Sequence, residues 1–140
     1  MKTVRHGLVL AVSGGTGLEP SPHQIAAAVR AGGTGVLDLG AGDPWRLRVL
    51  AQTARRVSEG FGVRIEAGCA ATPAEIERAG GPAVALIVLT ADAGHDVAAL
   101  AGRYRVLVEV TDLTEARAAQ AAGAHGLIAR AWSPAAGSAS

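Results

Sequence analysis

The stretch Val106–Ala129, VLVEVTDLTEARAAQAAGAHGLIA, contains a complete strand–helix–strand pattern. An apolar run, Val106–Val110, is followed by Asp112 and Glu115, which together form the pattern that caps the start of a helix. An alanine-rich segment then ends at Gly123, and a second apolar run follows it. This alternation predicts two parallel strands joined by a crossover helix.

The same alternation runs along the rest of the chain. Apolar runs begin at Leu8, Val36, Val63, Val84, Val106 and Leu127. Gly60 and Gly62 are expected to end the helix that precedes Val63. Cap-then-proline pairs stand before three of the predicted helices, at Ser21-Pro22, Asp43-Pro44 and Thr72-Pro73. We therefore predict an α/β fold built from six βα repeats of a TIM-type barrel, incomplete or degenerate, with parallel strands in sequential order. Eight repeats close such a barrel, so two are expected to be lacking. Periodicity alone leaves an open doubly wound sheet as an alternative.

Length and composition set limits on the class of protein. The 140 residues, 49% of them hydrophobic, predict one domain over 1–132 and a flexible tail or linker over 133–140, which holds only Ser, Pro, Ala and Gly. Apolar runs fall short of the ~20 residues that span a membrane, and the first is short for a signal peptide, so we expect a cytoplasmic protein without membrane contact. Thirteen basic and twelve acidic residues give no electrostatic reason to expect nucleic acid.

Cysteine and histidine give no sign of a metal site. The single Cys69 excludes an internal disulfide and a zinc site of several cysteines, and we expect it to be a small buried residue. The four histidines are scattered without the spacing of metal ligands: His6, His23, His95 and His125.

Charged residues interrupt the predicted strands near their C-terminal ends, where α/β barrels bind ligands. Asp38, Glu66 and Glu109 fall in the second, third and fifth predicted strands, and a buried carboxylate needs a partner. Arg64 shares the face of Glu66, and Arg130 follows the strand beside that of Glu109. One interpretation is a charge-paired structural mouth containing Asp38, Arg64 and Glu109. The other is a polar pocket for an acyl or carbonyl-bearing ligand, or a remnant flavin site.

The glycine-rich turn after the first run also has two interpretations. Ser13-Gly14-Gly15-Thr16-Gly17 has backbone amides at the correct end of the strand to hold a phosphate. It lacks the Lys-Ser/Thr pair of a P-loop, so a plain strand–helix turn is the alternative.

Two stretches carry a resemblance to a known family. Ile25–Leu37, IAAAVRAGGTGVL, resembles the first helix and second strand of the nitronate monooxygenase (2-nitropropane dioxygenase) family, and Val106–Ala129 resembles its fifth strand, fifth helix and sixth strand. Gly35–Leu39 and Leu107–Thr111 look like the barrel of this kind at the front of some type I polyketide and polyunsaturated-fatty-acid synthases. The resemblance covers nearly all of 7–132, and it implies an FMN-dependent (β/α)8 oxidoreductase.

The departures from the family indicate lost chemistry. Trp132 and Ser133 stand where the family's Gly-His-Glu-Ala-Gly-Gly-like segment has His and Glu, and the family's phosphate-binding glycines on strands seven and eight have no counterpart. The resemblance therefore implies no catalytic residue and no cofactor bound to the isolated chain. The residues that we expect to line a remnant flavin site are Ser13, Gly14, Gly15, Glu66 and Arg130.

Three functions remain open at this stage. The first is a degenerate barrel domain with a structural or docking role in a polyketide-synthase-type assembly, in which a second copy or another domain covers the edge strands. The second is an FMN-dependent oxidoreductase whose remaining strands come from elsewhere. The third is a small flavodoxin-like binding module.

Overall fold

The computed structural model describes residues 21–57 and 60–131. Of residues 10–13 it describes the backbone alone. Strands and helices alternate along these residues as follows: β1 Leu10–Ser13, α1 Pro22–Arg30, β2 Thr34–Asp38, α2 Pro44–Arg56, β3 Phe61–Ile65, α3 Pro73–Gly80, β4 Val84–Thr90, α4 Val97–Ala101, β5 Arg105–Val110, α5 Leu113–Ala121 and β6 Gly126–Ala129. A short 3-10 helix, Gly81–Ala83, joins α3 to β4. The predicted α/β class, a parallel sheet alternating with helices, is confirmed.

All pairings between the described strands are parallel, and the strands lie in the sequential order β1-β2-β3-β4-β5-β6. This is the predicted order, and it differs from the 2-1-3-4-5 order of a flavodoxin-like sheet. The flavodoxin-like alternative therefore does not describe this sheet. Five strand–helix pairs followed by β6 lie within the described residues, whereas Gly14, Gly15 and the predicted tail 133–140 lie outside them.

The helices pack on one face of the sheet. Each described α-helix contributes a buried residue to one large core: Ile25, Leu50, Ile76, Leu100 and Ala119. Alternate strand residues, among them Leu37, Val63 and Ile87, complete this core because strand side chains point to opposite faces in turn. A doubly wound sheet carries helices on both faces, so helices on one face are compatible with a barrel-like fold.

The other face of the sheet carries a second, smaller core made only of strand residues. Val36, Leu86, Val88 and Leu107 pack there, with Ile128 against them. A Cβ added at Gly62 of β3 would lie 3.2 Å from Val36 Cγ2 and 3.1 Å from Leu86 Cδ2. Because β3 lies between β2 and β4, a residue without a side chain lets these neighbours approach over it. This face therefore carries one apolar patch that continues from β2 across β3 to β4.

The predicted boundary between α2 and β3 was wrong. The glycines at 60 and 62 were expected to end the helix, but α2 ends at Arg56 and β3 begins at Phe61. Gly62 pairs with Val36 inside the sheet. Glu66 consequently follows β3 instead of lying within it.

Helix starts follow the predicted capping patterns in part. Thr72 and Glu75 form a reciprocal capping box at α3, and Asp112 accepts from the Glu115 N–H at α5. Asp43 makes no side-chain cap bond and lies 3.6 Å from Arg46 Nε. Among the described residues no helix has the length and apolar character needed to cross a bilayer.

Candidate functional site

Arg64 is the centre of a charged cluster at the C-terminal end of the sheet. Its Nε and Nη2 donate to the two carboxylate oxygens of Glu109, at 2.7 and 3.1 Å. Its Nη1 donates to Asp38 Oδ2 at 3.1 Å and to Glu66 Oε1 at 2.7 Å. We call these four residues the mouth cluster. All three guanidinium nitrogens of Arg64 are engaged by carboxylates.

The mouth cluster joins strands that are not neighbours. Asp38 ends β2 and Arg64 lies in β3, whereas Glu109 lies in β5, beyond β4. Arg64 reaches Glu109 because both residues lie on the face opposite the helices, and their two long side chains together span the width of β4. One interpretation of the sequence placed Asp38, Arg64 and Glu109 in a charge-paired mouth, but it did not specify which carboxylate Arg64 bonds to.

Three of the four side chains in the mouth cluster are nearly buried, so each of these charges needs its ion-pair partner. The side chains of Arg64, Asp38 and Glu109 are 13%, 7% and 12% exposed, whereas that of Glu66 is 44% exposed. Hydrogen bonding to Glu109 raises the pKa of Arg64 above its usual range, against the lowering effect of burial. A raised pKa of a cation contributes stability that is lost only as the pH rises through that pKa. The arginine therefore stays charged throughout the ordinary pH range.

Backbone groups fix Asp38 in place. Its Oδ1 accepts from the Gly40 N–H at 2.9 Å, and its carbonyl oxygen accepts from Arg46 Nη1 at 3.1 Å. The loop after β2 also packs on the loop after β3, because the Ala70 N–H donates to the Ala41 carbonyl at 2.8 Å. The two loops together support the second- and third-strand side of the mouth cluster.

An open polar cavity of about 390 Å³ lies beside the mouth cluster. Its lining consists of Arg64, Glu66, Ala67, Thr90, Asp92 and Arg130. Thr90 Oγ donates to Asp92 Oδ1 at 2.8 Å. Our sequence reasoning missed Thr90 and Asp92, although their position at and just after the end of β4 was a usable signal, since ligands bind at that end of parallel strands.

Two other predicted site residues, Arg130 and Ser13, do not belong to the mouth cluster. Arg130 Nη1 lies 3.3 Å from Glu109 Oε1, and the Arg130 side chain is 59% exposed. Ser13 pairs with Leu37 at the same end of the sheet, but only its backbone is described. Arg130 is therefore an exposed cation at the rim of the cavity, whereas the Arg64 side chain is nearly buried.

The described lining does not fit the phosphate of a flavin. The cavity lining has two carboxylates, Glu66 and Asp92, and two arginines. Arg64 is already engaged by the carboxylates of the mouth cluster, two of which, Asp38 and Glu109, adjoin the lining and add negative charge. A phosphate dianion placed there would meet excess negative charge, whereas proteins hold such groups with free amides and cations. The described residues also contain no group of His, Cys, Asp and Glu arranged to hold a metal ion.

Two further residues from the sequence analysis, His125 and Cys69, do not belong to the mouth cluster. His125 Nδ1 accepts from the Val106 N–H at 3.0 Å, while the His125 N–H donates to the Val106 carbonyl at 2.8 Å, so this histidine joins β5 to the start of β6. Cys69 is half-buried and carries a free thiol whose pKa is raised by burial. It is less buried than the sequence had predicted.

Comparison with known proteins gives no match: no family model, curated protein or solved structure corresponds to this chain. The resemblance to the nitronate monooxygenase family accordingly stays an interpretation of the sequence.

Proposed function

We propose that this chain is a degenerate, nitronate monooxygenase-like barrel domain with a structural or docking role in a polyketide-synthase-type assembly. The observation that supports this proposal is the engagement of Arg64 by Asp38, Glu66 and Glu109. In an active barrel this end of the sheet holds groups that are free to meet a substrate. Here carboxylates engage every guanidinium nitrogen of Arg64, and these ion pairs connect β2, β3 and β5.

The sheet edge supports a docking role. Among the described strands β6 has one neighbour, β5, and its residues alternate between half-buried and exposed. Leu127 is 44% exposed on the face that the helices cover elsewhere. An apolar strand with unpaired backbone groups is a template for another chain. We infer that β6 is covered by a second copy of this chain or by another domain of the assembly.

Binding of FMN to the purified chain tests the loss of cofactor chemistry. We expect no stoichiometric flavin, because the mouth cluster is acidic and internally paired. Flavin absorbance of the purified protein, followed by calorimetric titration with FMN, measures this. Recovery of one FMN per chain would overturn the proposal in favour of the oxidoreductase alternative.

Self-association tests the docking role of β6. Leu127→Glu is expected to weaken self-association of the isolated chain at least tenfold, since it places a charge on the uncovered apolar face. Leu113→Glu is the matched control, because Leu113 is a leucine that is 63% exposed on α5 and does not belong to β6. Sedimentation velocity measures both variants.

Two results would contradict self-association through β6. If the isolated chain sediments as a stable monomer and the amides of Gly126–Ala129 exchange freely, no second copy covers β6, and the proposal that the chain self-associates at this edge is wrong. Equal weakening by both leucine variants would also contradict it, because the effect would then not belong to the β6 edge.

An FMN-dependent oxidoreductase completed by strands from elsewhere is the second candidate. The open cavity of about 390 Å³ and the exposed guanidinium of Arg130 favour it. In that case added strands would have to supply the phosphate-binding amides. The same flavin titration, repeated after addition of a candidate partner domain, distinguishes the two functions, since only the oxidoreductase gains flavin when the partner is present.

A further inference from the structure

A basic cleft lies between α1 and α2, outside the mouth cluster. It has a volume of about 420 Å³ and is lined by Pro22, His23, Gln52, Arg55 and Arg56. Its described lining contains two guanidinium groups, one imidazole and no carboxylate. We propose that the cleft binds the phosphate group of a small phosphorylated molecule. This inference is independent of the proposed function.

Arg55 and Arg56 form no ion pair within the described ranges 21–57 and 60–131. Arg56 Nη1 instead lies 3.5 Å from His23 Nδ1 of α1. That contact directs the Arg56 guanidinium across the cleft towards α1. Arginine suits a phosphate because its planar donors match the phosphate oxygens.

The helix termini leave the cleft positive. Arg55 and Arg56 occupy the last turn of α2, where the helix end carries roughly half a negative charge that offsets only part of two full positive charges. Pro22 and His23 open the nine-residue helix α1, whose first turn contains no acidic residue. The partial positive charge of that end adds to the arginines.

The lining also indicates which part of a ligand is recognised. The lining contains no Phe, Tyr or Trp, and its one imidazole, that of His23, already contacts Arg56, so the two guanidinium charges are its main recognition groups. Gln52 supplies an amide that can donate to a phosphate oxygen. The recognised chemistry is therefore the phosphate itself, and we choose inorganic pyrophosphate as the probe.

Calorimetric titration of the full chain with inorganic pyrophosphate tests the proposal. We expect saturable binding by the unmodified chain, and Kd raised about five- to tenfold by Arg55→Gln and by Arg56→Gln, because each removes a charge-assisted hydrogen bond at a solvent-exposed site. Both residues are exposed, so the variants are expected to fold, and circular dichroism checks this.

Two control variants each remove one exposed positive charge. Arg48→Gln lies on α2 outside the cleft, and Arg117→Gln lies on α5. We expect less than a twofold change in Kd from either. Absence of pyrophosphate binding overturns the proposal. A loss from Arg48→Gln as large as that from Arg55→Gln also overturns it, since the attraction would then belong to the whole basic surface of α2.

Discussion

Replacement of Arg64 by alanine is expected to lower the free energy of unfolding by about 3–5 kcal/mol, the range found when one partner of a buried ion pair is removed. The change leaves Asp38 and Glu109 buried without their cation, at 7% and 12% exposure. Glu66 contributes little to this loss because it is 44% exposed and water screens its charge. Urea unfolding of the purified chain measures the effect.

A double-mutant cycle separates the ion pair from simple loss of packing. Glu109→Gln is expected to destabilise the unmodified chain but to be neutral or stabilising when Arg64 is already alanine, since it then removes a nearly buried carboxylate whose remaining cation is the exposed Arg130. Arg117→Ala is the control, because Arg117 is exposed on α5 and forms no ion pair with the described residues. A loss below about 1 kcal/mol for Arg64→Ala would place this pair with surface salt bridges and contradict its structural role.

Gly42→Ala is the second large expected effect, with a loss of about 2–4 kcal/mol, since two costs add at one residue. Gly42 has φ of +77°, and an added Cβ would lie 2.5 Å from the Ala71 backbone nitrogen and 2.8 Å from Cys69 Sγ. The loop after β2 would have to move away from the loop after β3. These loops support the mouth cluster, so unfolding in urea should show the loss directly.

Gly68→Ala is the matched control for Gly42→Ala. Gly68 has φ of +87° but nothing within 4 Å of an added Cβ. Its substitution therefore carries only the backbone cost, about 1 kcal/mol. Equal losses for the two variants would show that the two loops yield easily and that close packing between them contributes nothing.

The local elements of this fold follow from the sequence. Thr72, Pro73 and Glu75 predict the start of α3 because a cap, its following proline and its reciprocal glutamate lie within four consecutive residues. The apolar runs at Val84 and Val106 predict β4 and β5 because strands covered on both faces need continuous apolar residues. The sequential order of the strands also agreed with the prediction.

Glycine was ambiguous to sequence reasoning. Gly62 looked like a helix terminator, yet it lies within β3, where neighbouring side chains approach over it. The basic cleft was missed for a related reason. His23 and Arg56 are 33 residues apart, and only the packing of α1 against α2 brings them together.

The sequence by itself determined the alternation of strands and helices, the parallel order and the presence of charged residues near the strand ends, because these depend on short-range periodicity and composition. Only the tertiary structure decided that Arg64 bonds to Glu109, 45 residues away and two strands across the sheet. The reason is physical. Which side chains meet over that distance depends on the register of β3, β4 and β5, and that register is set by the packing of the whole sheet rather than by neighbouring residues in the chain.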